Sequence, residues 1–482
     1  LANALLVDFY ELTMAHGYFA SGRGQETAYF DLFFRSVPDD GGYVVVAGLE
    51  QAIDYLRNLS FDEAELAYLK RRNLFSEAFL EHLRTFRFTG SVWAIPEGTI
   101  VFPNEPLLTV RANLIEAQLI ETALLLFINH QSLIATKTQR IVRAAEGKNV
   151  FEFGTRRAHG TDASVLGARA AYIGGAVGSS NALADLLHHV PAVGTMAHSW
   201  VQLFDTEYEA FATYCALYPH TTTLLVDTYS VLKSGVPNAI RAIRDVLHPR
   251  GIRKANIRID SGDLCYLSNQ ARKMLDEAGL TEVGILASNS LDEEKIADLI
   301  RQGASIDGYG VGERLITAAS DPVFGGVYKL VAIEKNGSIV PKIKISENPD
   351  KIPTPSKKRL YRLYDESGKA IADYLTDHDE TLVARKAVEL FDPSFTWKRK
   401  TVVPANVREL QVPVFENGKL VYESPSIEAI RTHRQKDLST MWPEVLRLQN
   451  PHKYYVDLST KVWTVKNDLI RSMAELVPGD GE

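Results

Sequence analysis

Apolar and polar positions follow two rhythms along the chain. Between residues 150 and 312 a short apolar run gives way, six times, to a loop of small and polar residues. Val150–Phe153 leads to Gly154–Arg157, Ala192-Val193 to Gly194–Ser199, and Leu224–Val226 to Asp227–Ser230. Asn256–Ile259 leads to Asp260–Asp263, Gly284–Ala287 to Ser288–Ser290, and Ser305–Asp307 to Gly308–Gly312. Amphipathic patterns such as Pro237–Leu247 and Leu264–Ala278 fill the gaps as helices. Alternating strand and helix predicts parallel strands covered on both faces by crossovers. The expected fold class is α/β, with an irregular, TIM-like barrel at residues 141–335. In that architecture ligands sit where the loops leave the carboxyl ends of the strands.

The flanks are mixed. Asp8–Ala20 reads as a helix ended by Ser21-Gly22, Thr27–Arg35 as a strand, and Ser60-Phe-Asp-Glu63 as a capping box. Gly90–Val110, broken by Pro96, Gly98 and Pro103, reads as short strands, and Leu114–Glu146 as two helices in series. Lys335-Asn-Gly337 signals a hairpin and Asp365–Lys369 a second. Glu347–Lys358 reads as an exposed loop and Ser426–Gln435 as a helix. Residues 1–140 and 336–482 are expected to build a mixed α+β domain, the C-terminal part packing on the N-terminal one and on the barrel.

A length of 482 residues calls for two or three folded units. Hydrophobic residues at 45% and charged residues at 23% match a globular protein in water. A net charge of -7 argues against a general nucleic-acid binder. No run approaches the roughly eighteen apolar residues of a membrane span; Leu119–Ile128 is interrupted by Glu121. Leu1–Asp8 lacks the basic region of a signal peptide, and the absent methionine points to a trimmed chain. Cys215 and Cys265 alone build no disulfide framework and no all-cysteine zinc site, so a reducing, cytoplasmic setting without zinc is expected.

Four loops carry candidate chemistry. In Arg258-Ile-Asp-Ser-Gly-Asp263 two carboxylates three residues apart can face one ligand, as ribose hydroxyls or a Mg²⁺-bound diphosphate require. Arg258 adds a bidentate cation. The structural alternative is a turn in which Asp263 caps the helix at Leu264. Phe153 and Arg156-Arg157 combine a stacking ring with guanidinium groups suited to carboxylate or phosphate, or else serve as core and surface residues. Gly194-Thr-Met-Ala-His198-Ser199 offers hydroxyls and an imidazole able to act as base or nucleophile, with Asp227 as its orienting partner. Gly308-Tyr-Gly-Val-Gly312 could cradle a phosphate through backbone N–H groups, although it fails the G-x-G-x-x-G pattern. On these residues alone, aldolases, isomerases and phosphoribosyltransferases all remain open.

Six segments in order narrow the choice: Asp8–Met14, Phe151–Arg157, Gly194–Ser199, Leu225–Tyr229, Arg258–Asp263 and Val327–Val331. Together they resemble the nicotinate phosphoribosyltransferase family over essentially the whole chain. The resemblance implies synthesis of nicotinate mononucleotide from nicotinate and phosphoribosyl diphosphate in NAD salvage. It also implies coupling to ATP hydrolysis through a phosphohistidine, Mg²⁺, and a homodimer with shared active sites. By the same resemblance Phe153 and Tyr10 sandwich the pyridine, and Arg156, Thr195 and Ser199 surround its carboxylate and a nearby phosphate. Arg258 lies beside pyridine and ribose, while Asp260 and Asp263 hold the ribose and the metal-bound diphosphate. Ser288, Asn289, Gly310 and Gly312 take the 5′-phosphate, and His198 is phosphorylated with Asp227 orienting it. The alternatives are a nicotinamide phosphoribosyltransferase and, in another class, a non-catalytic sugar-phosphate-binding or scaffold protein of the same fold. An aldolase or isomerase would need a base or a Schiff-base lysine at a strand end, and the six loops hold no such lysine.

Overall fold

The computed structural model describes residues 3–348 and 351–476. The first two residues of the N-terminal reading, and residues 349–350 of the expected loop Glu347–Lys358, lie outside them. The chain divides into two units, one from Leu1–Leu133 with Val323–Glu482 and one from Ile134–Pro322.

In the second unit the aliphatic runs become five parallel strands. Their spatial order is Asn149–Glu152, Gly308–Val311, Val283–Ser288, Ala255–Ile259, Thr223–Leu225. Leu224, Leu225, Val226, Ile257 and Ile285 have no exposed surface, which suits a sheet covered on both faces. Each such side chain contributes roughly 1.5–3 kcal/mol by burial. Parallel bridges Glu152↔Ser179 and Ser179↔Ala192 extend the sheet beyond its Asn149–Glu152 edge. Among the described residues no ladder joins Ala192 to Thr223–Leu225, so hydrogen bonds do not close the expected TIM-like barrel. The physical reason is local. The apolar run Ala192-Val193 is only a dipeptide, and the Ala192 amide donates to Asp185 Oδ2 at 3.4 Å.

The segment expected as a glycine loop is itself a strand. Gly308 to Val311 pair in register with Asn149 to Glu152, and Gly310 also pairs with Ser288. Its glycines make room for neighbours. A Cβ on Gly310 would lie 2.5 Å from Phe153 Cδ2, and one on Gly308 2.9 Å from Leu286 Cδ2.

In the first unit strand Thr27–Phe34 pairs antiparallel with both Leu108–Asn113 and Gly326–Lys335 inside a seven-stranded sheet. The observed boundary therefore falls at Pro322 and not at 335: Val327–Val331 pairs with the N-terminal strand, and Tyr328 stacks on Phe30 at 4.8 Å. Both expected hairpins are present, joining Gly326–Lys335 to Ser338–Pro341 and Lys358–Tyr364 to Ala370–Asp377. The capping box lies two residues later than expected, between Asp62 and Glu65. The same spacing of acceptor and acid occurs twice there, and the second register wins.

N- and C-terminal segments are tied together through a buried charge network. Arg362 donates to both carboxylate oxygens of Asp373 (2.8 and 2.6 Å), to Asp437 (2.9 Å) and to the Ile100 carbonyl (2.7 Å). Asp437 in turn accepts from the Ile100 amide at 2.8 Å. Removing one partner from such a cluster leaves an uncompensated buried charge.

Candidate functional site

Because the five strands are parallel, their carboxyl ends bring the expected loops to one edge of the sheet. Along Ala255–Ile259 buried residues alternate with the half-buried Asn256 and Arg258, so the pleat turns Arg258 and the following Asp260 to one face. Arg258 Nη1 donates to Thr195 Oγ1 at 2.7 Å. The Ser288 hydroxyl donates to Asp260 Oδ1. The Asp260 amide (3.1 Å) and the Ser261 hydroxyl (2.5 Å) both donate to Asp227 Oδ2. Gly262 follows at φ +83, a left-handed turn that favours glycine. His198 Nε2 lies 3.9 Å from Asp260 Oδ2, while its Nδ1 shares a hydrogen bond with Thr228 Oγ1 at 3.1 Å. Thus Thr195, His198, Asp227, Arg258, Asp260 and Ser288 form one linked set.

Two groups in this set are unspent. Asp227 Oδ1 and Arg258 Nε are buried, and among the described residues neither has a hydrogen-bond partner. Burial pulls the Arg258 guanidinium below its ordinary range; Asp260 and Asp227 oppose this, and Arg156 adds repulsion. Nearly all buried polar groups are satisfied in folded proteins, so the open acceptor on Asp227 and the open donor on Arg258 suit a ligand that offers a donor to one and an acceptor to the other. The free oxygens of Asp227 and Asp260 are hard donors, the class that suits Mg²⁺.

The orienting partner of His198 differs from expectation. Thr228 holds the ring at Nδ1; Asp227 Oδ2 is taken by the Asp260–Ser261 turn, and its Oδ1 is left open. Asp263 is exposed and caps the helix Leu264–Glu277, accepting from the Tyr266 amide at 3.0 Å. Arg156 and Ser199 are exposed; Arg156 is near enough to repel Arg258, and Ser199 follows His198 in the chain. Asn289 and Ser290 both take positive φ, 99° and 46°, and the Ser290 hydroxyl is bonded to Glu313. Gly312 precedes the short helix Glu313–Ile316. Gly310 sits inside the ladder, where its lack of a side chain makes room for the Phe153 ring. Tyr10 belongs to the first unit, in helix Phe9–Ala20, 46% exposed. Its hydroxyl bonds Glu121, and burial with that carboxylate raises the phenol above its ordinary range.

Glu152 was not singled out from sequence. It is fully buried, accepts from the Ser179 hydroxyl at 2.5 Å and from the Gly154 amide, and so anchors the turn carrying Arg156. Burial raises its carboxyl, and these two bonds oppose the rise. An acid inside an otherwise apolar run was the available signal.

Phe153 is fixed from behind by the absence of a side chain at residue 310. Gly310→Ala would drive a methyl into that ring and is expected to cost about 1–3 kcal/mol of unfolding free energy. Denaturant titration measures this; an unchanged midpoint and slope would mean the ring is free to yield.

Comparison with known proteins bears on all of this. Residues 5–129 match the model of the nicotinate phosphoribosyltransferase N-terminal domain, residues 149–366 the nicotinate phosphoribosyltransferase family, and residues 357–466 its C-terminal domain. The chain is 45% identical over 471 residues to a nicotinate phosphoribosyltransferase of Bacillus subtilis, covering 98% of this chain and 96% of that protein. It is 33% identical over 526 residues to one of Homo sapiens, covering 97% of each. The crystal structure of human nicotinic acid phosphoribosyltransferase superposes with a TM-score of 0.85 at 32% identity, covering 96% of this chain and 100% of that one. The chain belongs to the nicotinate phosphoribosyltransferase family of enzymes.

Proposed function

We propose that the strand-end site joins nicotinate to phosphoribosyl diphosphate, giving nicotinate mononucleotide and diphosphate, with ATP hydrolysed alongside. The observation that carries this reading is the unspent pair, Arg258 Nε and Asp227 Oδ1, within one linked set. Arg258 with Thr195 suits the pyridine carboxylate, helped by Arg156 and Ser199, and Phe153 offers a ring face to the heterocycle. Asp260 lies where ribose hydroxyls and the positive charge of an oxocarbenium-like state would be stabilised. Asp227, Asp260 and Asp263 supply carboxylate oxygens for Mg²⁺, which when bound neutralises charge on the departing diphosphate. The Ser288–Ser290 loop and Gly312 suit the 5′-phosphate. The pyridine nitrogen attacks the anomeric carbon as the C–O bond to diphosphate breaks, and no base is needed because that nitrogen carries a free lone pair.

His198 is the proposed phosphoryl acceptor. If Nδ1–H donates to Thr228, the Nε2 lone pair can attack the γ-phosphorus of ATP with ADP leaving, and water later cleaves the P–N bond. The barrel-like reading of the second unit and a cytoplasmic setting belong to the same proposal; among the described residues no helix is long and apolar enough to cross a membrane.

The test is turnover of phosphoribosyl diphosphate with nicotinate against nicotinamide, with and without ATP. Formation of nicotinate mononucleotide, faster with ATP, is expected. Preference for nicotinamide would move the reading to the amide-using enzyme, and no turnover with either would leave a binding or scaffold protein.

The assembly proposed is a two-fold homodimer in which Tyr10 reaches the partner's site. Phe9, Tyr10 and Met14 on one helix are 37%, 46% and 38% exposed, an apolar face that a second subunit would cover. Tyr10→Ala and Asp260→Asn subunits, each nearly inactive alone, should regain activity when mixed, because one site in each mixed dimer combines both native residues. No recovery after verified subunit exchange would sink the sharing.

A further inference from the structure

The first unit holds a cleft of about 670 Å³ that shares no residue with the strand-end site. Its volume falls within the roughly 300–1,000 Å³ of small-molecule sites. Asp457, on strand Val456–Leu458, lines it and is 4% exposed. Among the described residues its carboxylate receives no hydrogen bond and joins no ion pair. Burial raises this carboxyl to about 7, Asp392 reinforces the rise and Lys453 opposes it. Lys466 lines the same cleft half-buried. Its ammonium makes one long bond, 3.5 Å to the Ile352 carbonyl, and no ion pair. Burial lowers it, and the Lys358 ammonium repels it further.

Folding alone does not account for this arrangement. Opposite charges taken out of water are normally paired, because each is costly by itself. Here an acid and an amine line one cleft without an ion pair between them, an arrangement that suits a molecule offering an anion to one and donors to the other. At the rim, Tyr455 is 51% exposed and has His452 edge-on at 5.9 Å, which leaves an aromatic surface for a flat ring. Ser394 and Thr354 add hydroxyls to the lining.

We propose that this cleft binds a nucleoside monophosphate, its phosphate on Lys466, its ribose hydroxyls donating to Asp457 and its base against Tyr455. Carboxylates take ribose diols in this way in other nucleotide sites, and lysine serves phosphate as a point charge.

The experiment is a ligand-observed NMR titration of the full chain with adenosine monophosphate, and in separate arms with adenosine, ribose 5-phosphate and inorganic phosphate. Binding of the nucleotide is expected, with weaker binding of each fragment. Asp457→Asn and Lys466→Met should each weaken it roughly tenfold or more, the size of a lost charged hydrogen bond. The part of the binding that these two substitutions remove should persist in Arg258→Ala, which alters the strand-end site only. Ribose 5-phosphate binding as tightly as the nucleotide, and weakened as much by Asp457→Asn and Lys466→Met, would assign the cleft to sugar phosphates and overturn the nucleotide. No binding in any arm, or binding indifferent to either cleft substitution, overturns the proposal outright.

Melting curves separate this from misfolding. A carboxyl whose folded value is raised loses stability for the fold as pH climbs from its unfolded value toward 7. Asp457→Asn should therefore raise Tm at pH 8, with the difference closing below about pH 4. A variant more stable yet poorer at binding fits a ligand site; a lower Tm at pH 8 would give Asp457 a structural partner and end the proposal.

Discussion

Asp260→Asn is expected to lower kcat by about 10²-fold or more while the protein stays folded, the loss seen when one preorganised electrostatic group is removed. Asp260 is the hub of the linked set, touched by Ser288 and facing His198, and its own amide is held by Asp227. Asparagine keeps the shape and can still accept from Ser288, so a large effect reads the missing charge and not a lost turn. Asp263 provides the internal comparison. Asparagine caps helices about as well as aspartate, so Asp263→Asn should leave the melting temperature unchanged. Any fall in kcat there measures contact with substrate or metal. Asp263→Ala, by contrast, should cost about 1 kcal/mol through the lost cap. Steady-state kinetics beside thermal melts checks all three variants, and an Asp260→Asn enzyme with native kcat would remove that residue from the chemistry.

His198→Asn is expected to abolish steady-state ATP hydrolysis while sparing a slow, ATP-independent transfer. Phosphorylation of His198 would set negative charge and acceptor oxygens next to Asp260 and change affinity for the anionic substrate. Thr228→Val gives the intermediate case, since it removes the bond at Nδ1 but keeps the imidazole. With the tautomer released, ATP hydrolysis should fall without vanishing and its pH profile should shift. Undiminished ATP-coupled turnover in His198→Asn would sink the phosphohistidine.

Much of the site was legible because its signals are local. The polar residues after each apolar run mark strand ends, and parallel strands deliver those ends to one edge. Arg258 and Asp260, two residues apart, fall on one face by the pleat alone. What stayed hidden depends on distance between loops. Whether His198 meets Asp227 or its neighbour Thr228 is decided by how the helix His198–Leu203 is set against the next strand, and one residue's difference exchanges a carboxylate for a hydroxyl. Glu152 went unremarked because its partner Ser179 lies on another segment of the sheet.

The chain's own pattern of residues thus determined the alternation of strand and helix, the two hairpins of the flanks and the identity of the chemical groups, since each follows from spacing along a few turns. Only the tertiary structure decided that Gly308–Val311 is a strand, that Val327–Val331 joins the N-terminal sheet, and that among the described residues hydrogen bonds leave the barrel open. The reason is common to all three. A glycine reads as a turn until a neighbour such as Phe153 fills the space it leaves, and an apolar strand pairs with whichever edge is free. Those facts are properties of the partner segment, and no window along the chain contains both.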